Sequence, residues 1–550
     1  MRLFLGEKVH YLPGARRVAG FLLFGLLAGC GGGGGGDSAT QTQISTNAIS
    51  FSASGPSAAA PAAQSVTATF GKDVVQLSVV HSGDAIASVS SVMNGQTAEI
   101  TIVPATPSAI GPGAFVGAVA VTGYNCADTT CSRLAAGSTA TVSVSYQISP
   151  SVLSVAPYVV TSGVSDTVIV RGLGLLAFNI SGVRFGDTAA TAFTVNSNGT
   201  ELSATYPALP AGDYTVHLDA TGHTGEIPSS VALKVRDPVA YTAAALDHAP
   251  GTTALRTLVY DAERQALITV TDTAPTNPIV RYQYANGAWS APTQAAVGLL
   301  DAALSADGSQ LFAINQTAVM PVDPVTLAPG TSIAAPSLAE NSFLKNIVVG
   351  NDNRSLLTTS LTTSGLTQGY VYDPPSGVIA PNGIGLNNAT PVMSANGAGA
   401  VLSQGDPTLT SDVPVYLYST TSNQLTSSAV SLRQNGVVPA LNRSITRVVL
   451  NGIRVYDGSF ALLGTLPDTT AAVVLKSDGT RAYAYDTAAG GILVYDISVD
   501  RDEAAYTALG PVQPLAADPG TGLRMAITPD NGTLFVAGST RLLVQPTPAL

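Results

Sequence analysis

Seven short polar turns, each set between apolar strands, recur through residues 238–550. They are Tyr260-Asp261-Ala262-Glu263, Ser305-Ala306-Asp307-Gly308, Gly350-Asn351-Asp352-Asn353, Ser394-Ala395-Asn396-Gly397, Leu441-Asn442-Arg443-Ser444, Ser477-Asp478-Gly479 and Pro529-Asp530-Asn531-Gly532. Their central Asp or Asn residues stand at 261, 307, 352, 396, 442, 478 and 530, with gaps of 46, 45, 44, 46, 36 and 52 residues. A repeat of roughly 40–50 residues made of short strands cannot bury its apolar face alone, so it stacks on copies of itself. The spacing therefore predicts seven four-stranded blades of a β-propeller. Each turn leads into a strand, as at 310–314 and 481–485, and a third strand then ends in Tyr-Asp, as at Tyr372-Asp373, Tyr456-Asp457 and Tyr495-Asp496. After Asp530 only two strands fit, 533–537 and 541–545. Residues 239–246 are expected to supply the fourth strand of the last blade, closing the ring and leaving no open edge.

Composition agrees with an all-β chain outside the cytoplasm. Charged residues make up 11% and hydrophobic residues 45% of 550 positions, against a usual charged share of about 25%. Such a chain is too apolar to stay disordered, and its length predicts three to five domains. The formal charge is −11 and Lys and Arg total 24. That excludes nucleic acid as a partner, because a phosphate backbone requires clustered cations.

The N-terminus defines the compartment. Residues 18–29 form an apolar run behind Arg16 and Arg17, shorter than the roughly 20 residues that cross a bilayer and matching a secretory signal. The run ends in Leu27-Ala28-Gly29-Cys30 and is followed by Gly31 to Gly36. These residues resemble the lipobox of bacterial lipoproteins. The resemblance implies that residues 1–29 are removed as a signal peptide, that Cys30 carries the acyl chains (palmitate-type), and that residues 30–42 are a lipidated, Gly-rich tether. Gly31 where inner-membrane lipoproteins carry Asp implies the outer membrane. At about 0.8 kcal/mol per buried CH₂, two or three acyl chains would hold the protein on the membrane permanently. Removal of residues 1–29 takes away Arg2, Lys8, Arg16, Arg17 and Glu7, which leaves a formal charge of −14. The Gly run also matches G-x-G-x-x-G, but it follows no strand and opens no helix, so a dinucleotide site is excluded.

Between tether and propeller, two further β-domains are expected. Residues 43–149 alternate apolar and polar positions in about seven short runs, the pattern of an Ig-like sandwich. Cys126 and Cys131 stand here in a C-x₄-C spacing. The spacing lacks the second ligand pair of a metal site, so in an oxidising compartment a local disulfide is expected. Residues 150–237 contain Val155-Ala156-Pro157, Asp166-Thr167-Val168-Ile169-Val170-Arg171-Gly172-Leu173-Gly174, Val183-Arg184-Phe185-Gly186-Asp187 and Pro210-Ala211-Gly212-Asp213-Tyr214. This series resembles the IPT/TIG family, which implies a second sandwich acting as a spacer or interaction module, without catalytic residues. His217 and His223 near its end read as β-surface histidines rather than metal ligands. The fold class expected overall is all-β, two tandem β-sandwiches (Ig-like, then IPT/TIG) followed by a seven-bladed propeller over residues 238–550.

Leu304-Ser305-Ala306-Asp307-Gly308 and Ile527-Thr528-Pro529-Asp530-Asn531-Gly532 resemble the YVTN and WD40-like propellers, although Trp289 is the only tryptophan. No His lies beyond His248 and no Cys beyond Cys131. Nucleophilic triads and His-based metal sites are therefore unavailable within the ring. Asp500, Asp502 and Glu503 form an acidic loop, a candidate Ca²⁺-binding or recognition segment that also reads as a solvated connection between blades. The propeller holds 12 Arg against Lys345 and Lys476. Arg offers planar, bidentate contacts to carboxylates, though most are expected to pair across blades. The reading that follows is a membrane-anchored, cell-surface or periplasmic lipoprotein without enzymatic activity, catalytic residues, cofactor or metal. Its propeller would be a protein- or glycan-binding platform held out by the two sandwiches. The alternative, implied by the YVTN resemblance, is a lactonase- or lyase-type enzyme using carboxylates and a bound metal.

Overall fold

The computed structural model describes residues 41–548 except 126–132, 222–226, 228, 249–251, 273–276, 296–297, 337, 339, 362–365, 387, 405–410 and 434. The described residues are almost entirely β, with one short helix, Pro107–Ile110. Among them no helix is long and apolar enough to cross a membrane.

Two face-to-face pairs of sheets come first. In the first pair, Gln43–Ile44, Gln64–Thr69, Thr97–Pro104 and Ile86–Asn94 form one sheet; Ala48–Ala53, Arg133–Ile148, Gly113–Asn125 and Gln76–Ser82 form the other. Strict alternation explains the packing: Ile49, Phe51 and Ala53 point inward from Ala48–Ala53 while the residues between them are exposed. The second pair joins Val159–Thr161, Ala232–Arg236, Gly212–Ala220 and Ile180–Phe185 on one side to Ala192–Val195, Glu201–Tyr206, Asp166–Leu173 and Ser151–Ala156 on the other. Val168, Val170, Phe185, Leu202 and Tyr206 fill its core.

The rest of the chain forms seven antiparallel sheets, at 254–295, 301–334, 342–386, 389–432, 440–465, 470–514 and 524–546, numbered here as blades 1 to 7. The seven polar turns join the first strand of a blade to its second in all seven cases. The uneven gaps have a local cause. Blade 5 ends compactly at Leu462–Thr465, five residues before blade 6 begins at Thr470. Blade 6 carries a long loop between its third strand, Gly491–Asp496, and its fourth, Gln513–Pro514.

Second strands such as Leu311–Ile314, Gly399–Gln404 and Thr533–Ala537 are buried at every position. They read as continuous rather than alternating burial because a blade is covered on both faces. An apolar cluster fills each of the seven junctions between neighbouring blades. The junction of blades 7 and 1 is the most aromatic: Tyr241, Tyr284, Trp289 and Phe535 interlock, with the Tyr241 and Trp289 rings stacked at 5.4 Å.

Ring closure follows the sequence expectation with one shift. Ala244–Asp247 pairs antiparallel with Arg541–Pro546, placing Ala244 opposite Val544 and Asp247 opposite Arg541. The strand starts at Ala244 rather than at residue 239, because Val239 and Tyr241 are drawn into the apolar cluster beside it. Replacing Ala244–Asp247 by alternating Gly and Ser is expected to destabilise the propeller by roughly 2–4 kcal/mol, through lost ladder hydrogen bonds and reduced burial of Leu246. Thermal unfolding followed by circular dichroism checks this; an unchanged propeller transition would refute closure by this strand.

Candidate functional site

The first strand of every blade lines a central channel, and the two ends of these strands differ in kind. At the turn end, the polar residues link blade to blade. Ala306 N–H donates to Asn353 Oδ1 at 2.7 Å, Asn351 N–H to Gly397 O at 2.9 Å and Ser477 N–H to Asn531 Oδ1 at 2.9 Å. The Arg264 guanidinium likewise donates from blade 1 to Gly308 O of blade 2 at 2.9 Å. The turn Asn side chains and backbone groups therefore brace the ring, while the turn Asp side chains hold their own turns.

This end is covered by the second sandwich. Its Ala156-Pro157-Tyr158-Val159 segment, with a cis peptide before Pro157, lies over the channel. Tyr158 packs where Gly308 offers no side chain; a Cβ there would lie 2.0 Å from Tyr158 Oη, and Gly308 has a φ of +67° that itself favours glycine. Arg171, nearly buried, pairs with Glu201 at 2.6 Å and donates to Asn351 Oδ1 of blade 3 at 3.1 Å. Thr421 of blade 4 donates to Glu201 Oε2 at 2.6 Å. Asp166 pairs with Arg443 of blade 5, and Lys234 with Glu263 of blade 1. These contacts span the ring, so the second sandwich is docked on the propeller, which the expectation of a simple spacer does not include. Beneath it lies a chamber of about 480 Å³ lined by apolar residues such as Pro157, Leu304, Val349, Met393 and Ile527 and by polar ones such as Ser305, Asn351, Ser394, Arg443 and Asn531.

The other end opens as a mouth of about 470 Å³. Tyr260, Leu304, Val349, Met393 and Ala395 line both spaces. The mouth is divided by chemistry. Blades 7, 1, 2 and 3 contribute the charged and amide groups of Arg524, Arg256, Asp301 and Asn346, while blades 4 to 6 and the residues leading into them contribute Pro391, Val392, Val438, Pro439 and Val473, with Thr390 the polar residue among them. Asp301 is buried; its Oδ1 accepts Ala302 N–H and its Oδ2 accepts Ile347 N–H, both at 2.9 Å. Burial pushes its carboxyl up to about 6, with the two amide hydrogens pulling the other way. The Arg524 guanidinium has one hydrogen bond among the described residues, to Leu523 O at 3.1 Å, and no carboxylate within ion-pair distance. Burial also lowers its pKa, opposed by the charge of Asp301. Arg256 donates to Asp272 at 2.8 Å, and its Nε is buried without a partner.

Cys30, the signal peptide, Cys126, Cys131 and His223 lie outside the described residues. Asp500, Asp502 and Glu503 are exposed, on the loop between the third and fourth strands of blade 6 rather than between blades. That loop covers the edge of blade 5, where Arg501 N–H donates to Leu463 O and Tyr506 N–H to Thr465 O, both at 2.8 Å. Among the described residues no three His, Cys, Asp or Glu side chains gather into a group that could hold a metal ion. His248 is buried between Tyr282 Oη at 3.0 Å and Gly538 O at 2.9 Å. The arginines pair mostly within their own blade, as Arg481 does with Asp496 at 2.7 Å and Arg264 with Asp261 at 2.9 Å. Sequence reasoning grouped the arginines without singling out Arg256 or Arg524, and it missed Asp301. The available signal was position: each stands at the start of a blade's first strand.

No family model and no curated protein matches the chain. Among solved structures it is similar to Kluyvelomyces marxianus Hsv2, at 12% identity over 54% of this chain and 97% of that one, with a TM-score of 0.37. It is similar to an auxiliary nutrient binding protein from Bacteroides ovatus, at 12% identity over 73% and 98%, with a TM-score of 0.36. An oligogalacturonate lyase in complex with manganese is similar at 12% identity over 56% and 97%, with a TM-score of 0.40. The blade architecture itself rests on the strand pairing described above.

Because the folded state holds the proton of Asp301 more tightly than the unfolded chain, ionisation costs stability as pH rises from about 4 to about 6. Asp301→Asn removes this dependence. The stability difference between the wild type and Asp301→Asn is expected to change by roughly 3 kcal/mol across that window, read from the propeller transition at pH 4 and pH 7. Parallel profiles for the two proteins would refute it.

Proposed function

We propose that this chain is a lipid-anchored binding protein of the bacterial cell envelope, most simply of the outer membrane, whose propeller receives its ligand through the open mouth of the channel. One observation carries the reading: the second sandwich is docked over one end of the channel, while the other end carries no such domain and holds polar groups whose hydrogen-bonding capacity the chain does not use. Arg524 is partly exposed and most of its guanidinium donors meet no acceptor of the chain, which leaves them available to a bound molecule. Binding rather than catalysis is favoured because Asp301 is the single carboxylate among the residues lining the mouth, and both its oxygens already accept backbone amides. In this reading the tether and first sandwich carry the capped propeller away from the membrane, and the second sandwich holds the ring rigid.

Val392→Trp should fill the mouth from its apolar side. Protein purified from envelopes is expected to carry a co-purifying ligand in native mass spectrometry, and Val392→Trp is expected to lose it with its melting temperature unchanged. Retention by the variant, or wild type with no ligand, would overturn the binding reading, as would a melting shift on chelation, which would favour the metal-dependent enzyme. Cys30→Ser is expected to move the protein from the membrane to the soluble fraction. An intact mass of the wild type without acyl chains would overturn the anchoring.

A further inference from the structure

We infer that the ligand of this mouth is an amphiphilic carboxylate, its head on Arg524 and Arg256 and its apolar body directed along the channel toward the chamber under Pro157. The inference rests on the binding reading above and assigns the ligand's chemical class.

The first part of the argument counts donors and acceptors around the mouth. Asp301 accepts two backbone amides. The Asn346 side-chain amide donates to Thr358 Oγ1 at 3.1 Å and Ala389 O at 2.9 Å. Arg524, by contrast, has five N–H donors and one bond, to a neutral carbonyl, and Arg256, paired with Asp272 through one terminal nitrogen, keeps a buried Nε without a partner. The mouth thus has a surplus of guanidinium donors and a shortage of acceptors. A group with two acceptor oxygens in a plane, a carboxylate, matches such a fork.

The second part concerns what lies opposite and above. Pro391, Val392, Val438, Pro439 and Val473 line the side opposite the charged groups, where Thr390 is the one polar side chain among the described residues. The first strands carry the channel on from Arg256 to Tyr260, about 13 Å at 3.3 Å per residue, past Leu304, Val349, Met393 and Ile527, with the polar turn residues such as Ser305 and Ser394 lying beyond them. A small hydrophilic acid would leave this length unfilled. A saccharide would stack on aromatic faces, and among residues lining the open mouth Tyr260 is the only aromatic ring. An aliphatic body exchanging water for these walls gains about 25 cal/mol per Å² of apolar area buried.

Isothermal titration of the full mature protein with dodecanoate, dodecanol and acetate tests this. Dodecanoate is expected to bind one to one, and acetate at least a hundredfold more weakly. Arg524→Gln is expected to lower dodecanoate affinity at least tenfold without changing dodecanol affinity, Arg524→Lys to recover part of the loss, and Val392→Trp to abolish both. Equal dodecanoate affinity in the wild type and Arg524→Gln would overturn the inference. If dodecanoate fails to bind while a glycan or peptide co-purifies with the wild type and is lost from Val392→Trp, the ligand class is wrong and the binding reading stands. If dodecanoate fails and nothing co-purifies, both fall.

Discussion

Each blade buries both faces of its sheet against its neighbours, and the rest of the molecule depends on that requirement. Seven apolar clusters fill seven junctions. No blade could keep second strands as apolar as Leu311–Ile314 or Thr533–Ala537 if one neighbour were missing, since the exposed face would be a large apolar patch with an open strand edge. The ring must therefore close. The four residues Ala244–Asp247, taken from before blade 1 and paired with the last strand of blade 7, make the closure a matter of hydrogen bonds as well as packing.

Closure also creates the site. The first strands of all seven blades run in the same direction around the axis, so their beginnings gather at one mouth and the polar turns at the other. The turn end is spent on structure: Asn353 and Asn531 bond to the neighbouring blade, and the second sandwich docks over the turns through Tyr158, Arg171 and the Asp166–Arg443 pair. The opposite end carries no such cover, and the guanidinium of Arg524 is left without a carboxylate partner. With the second sandwich docked over one end and no domain over the other, the two mouths differ in their surroundings.

Much of the architecture was legible in the residues. The polar turns at 261, 307, 352, 396, 442, 478 and 530 marked the blades because a turn between the first and second strands needs the same small set of residue types each time. The same counting showed two strands after Asp530, and hence a borrowed one. Its start was placed too early, because Val239 and Tyr241 alternate like strand residues although the aromatic cluster of blades 7 and 1 takes them. The acidic run Asp500, Asp502 and Glu503 drew attention as a local concentration of charge. It lies on a loop that seals the edge of blade 5 through backbone bonds, which no composition pattern reveals.

The amino-acid sequence by itself determined the strands, their number and the seven-fold period, since these follow from local alternation and from turn residues that act within a few positions of each other. Only the tertiary structure decided which end of the ring the second sandwich docks over and which side chains meet at the other. Arg524 opens the last blade, Arg256 the first and Asp301 the second; they are far apart along the chain and share one mouth because the ring returns blade 7 to the side of blade 1. Charge and burial act through space, so a lone Asp or Arg at the start of a strand carries no local mark of the partners that closure brings to it or of those it fails to supply.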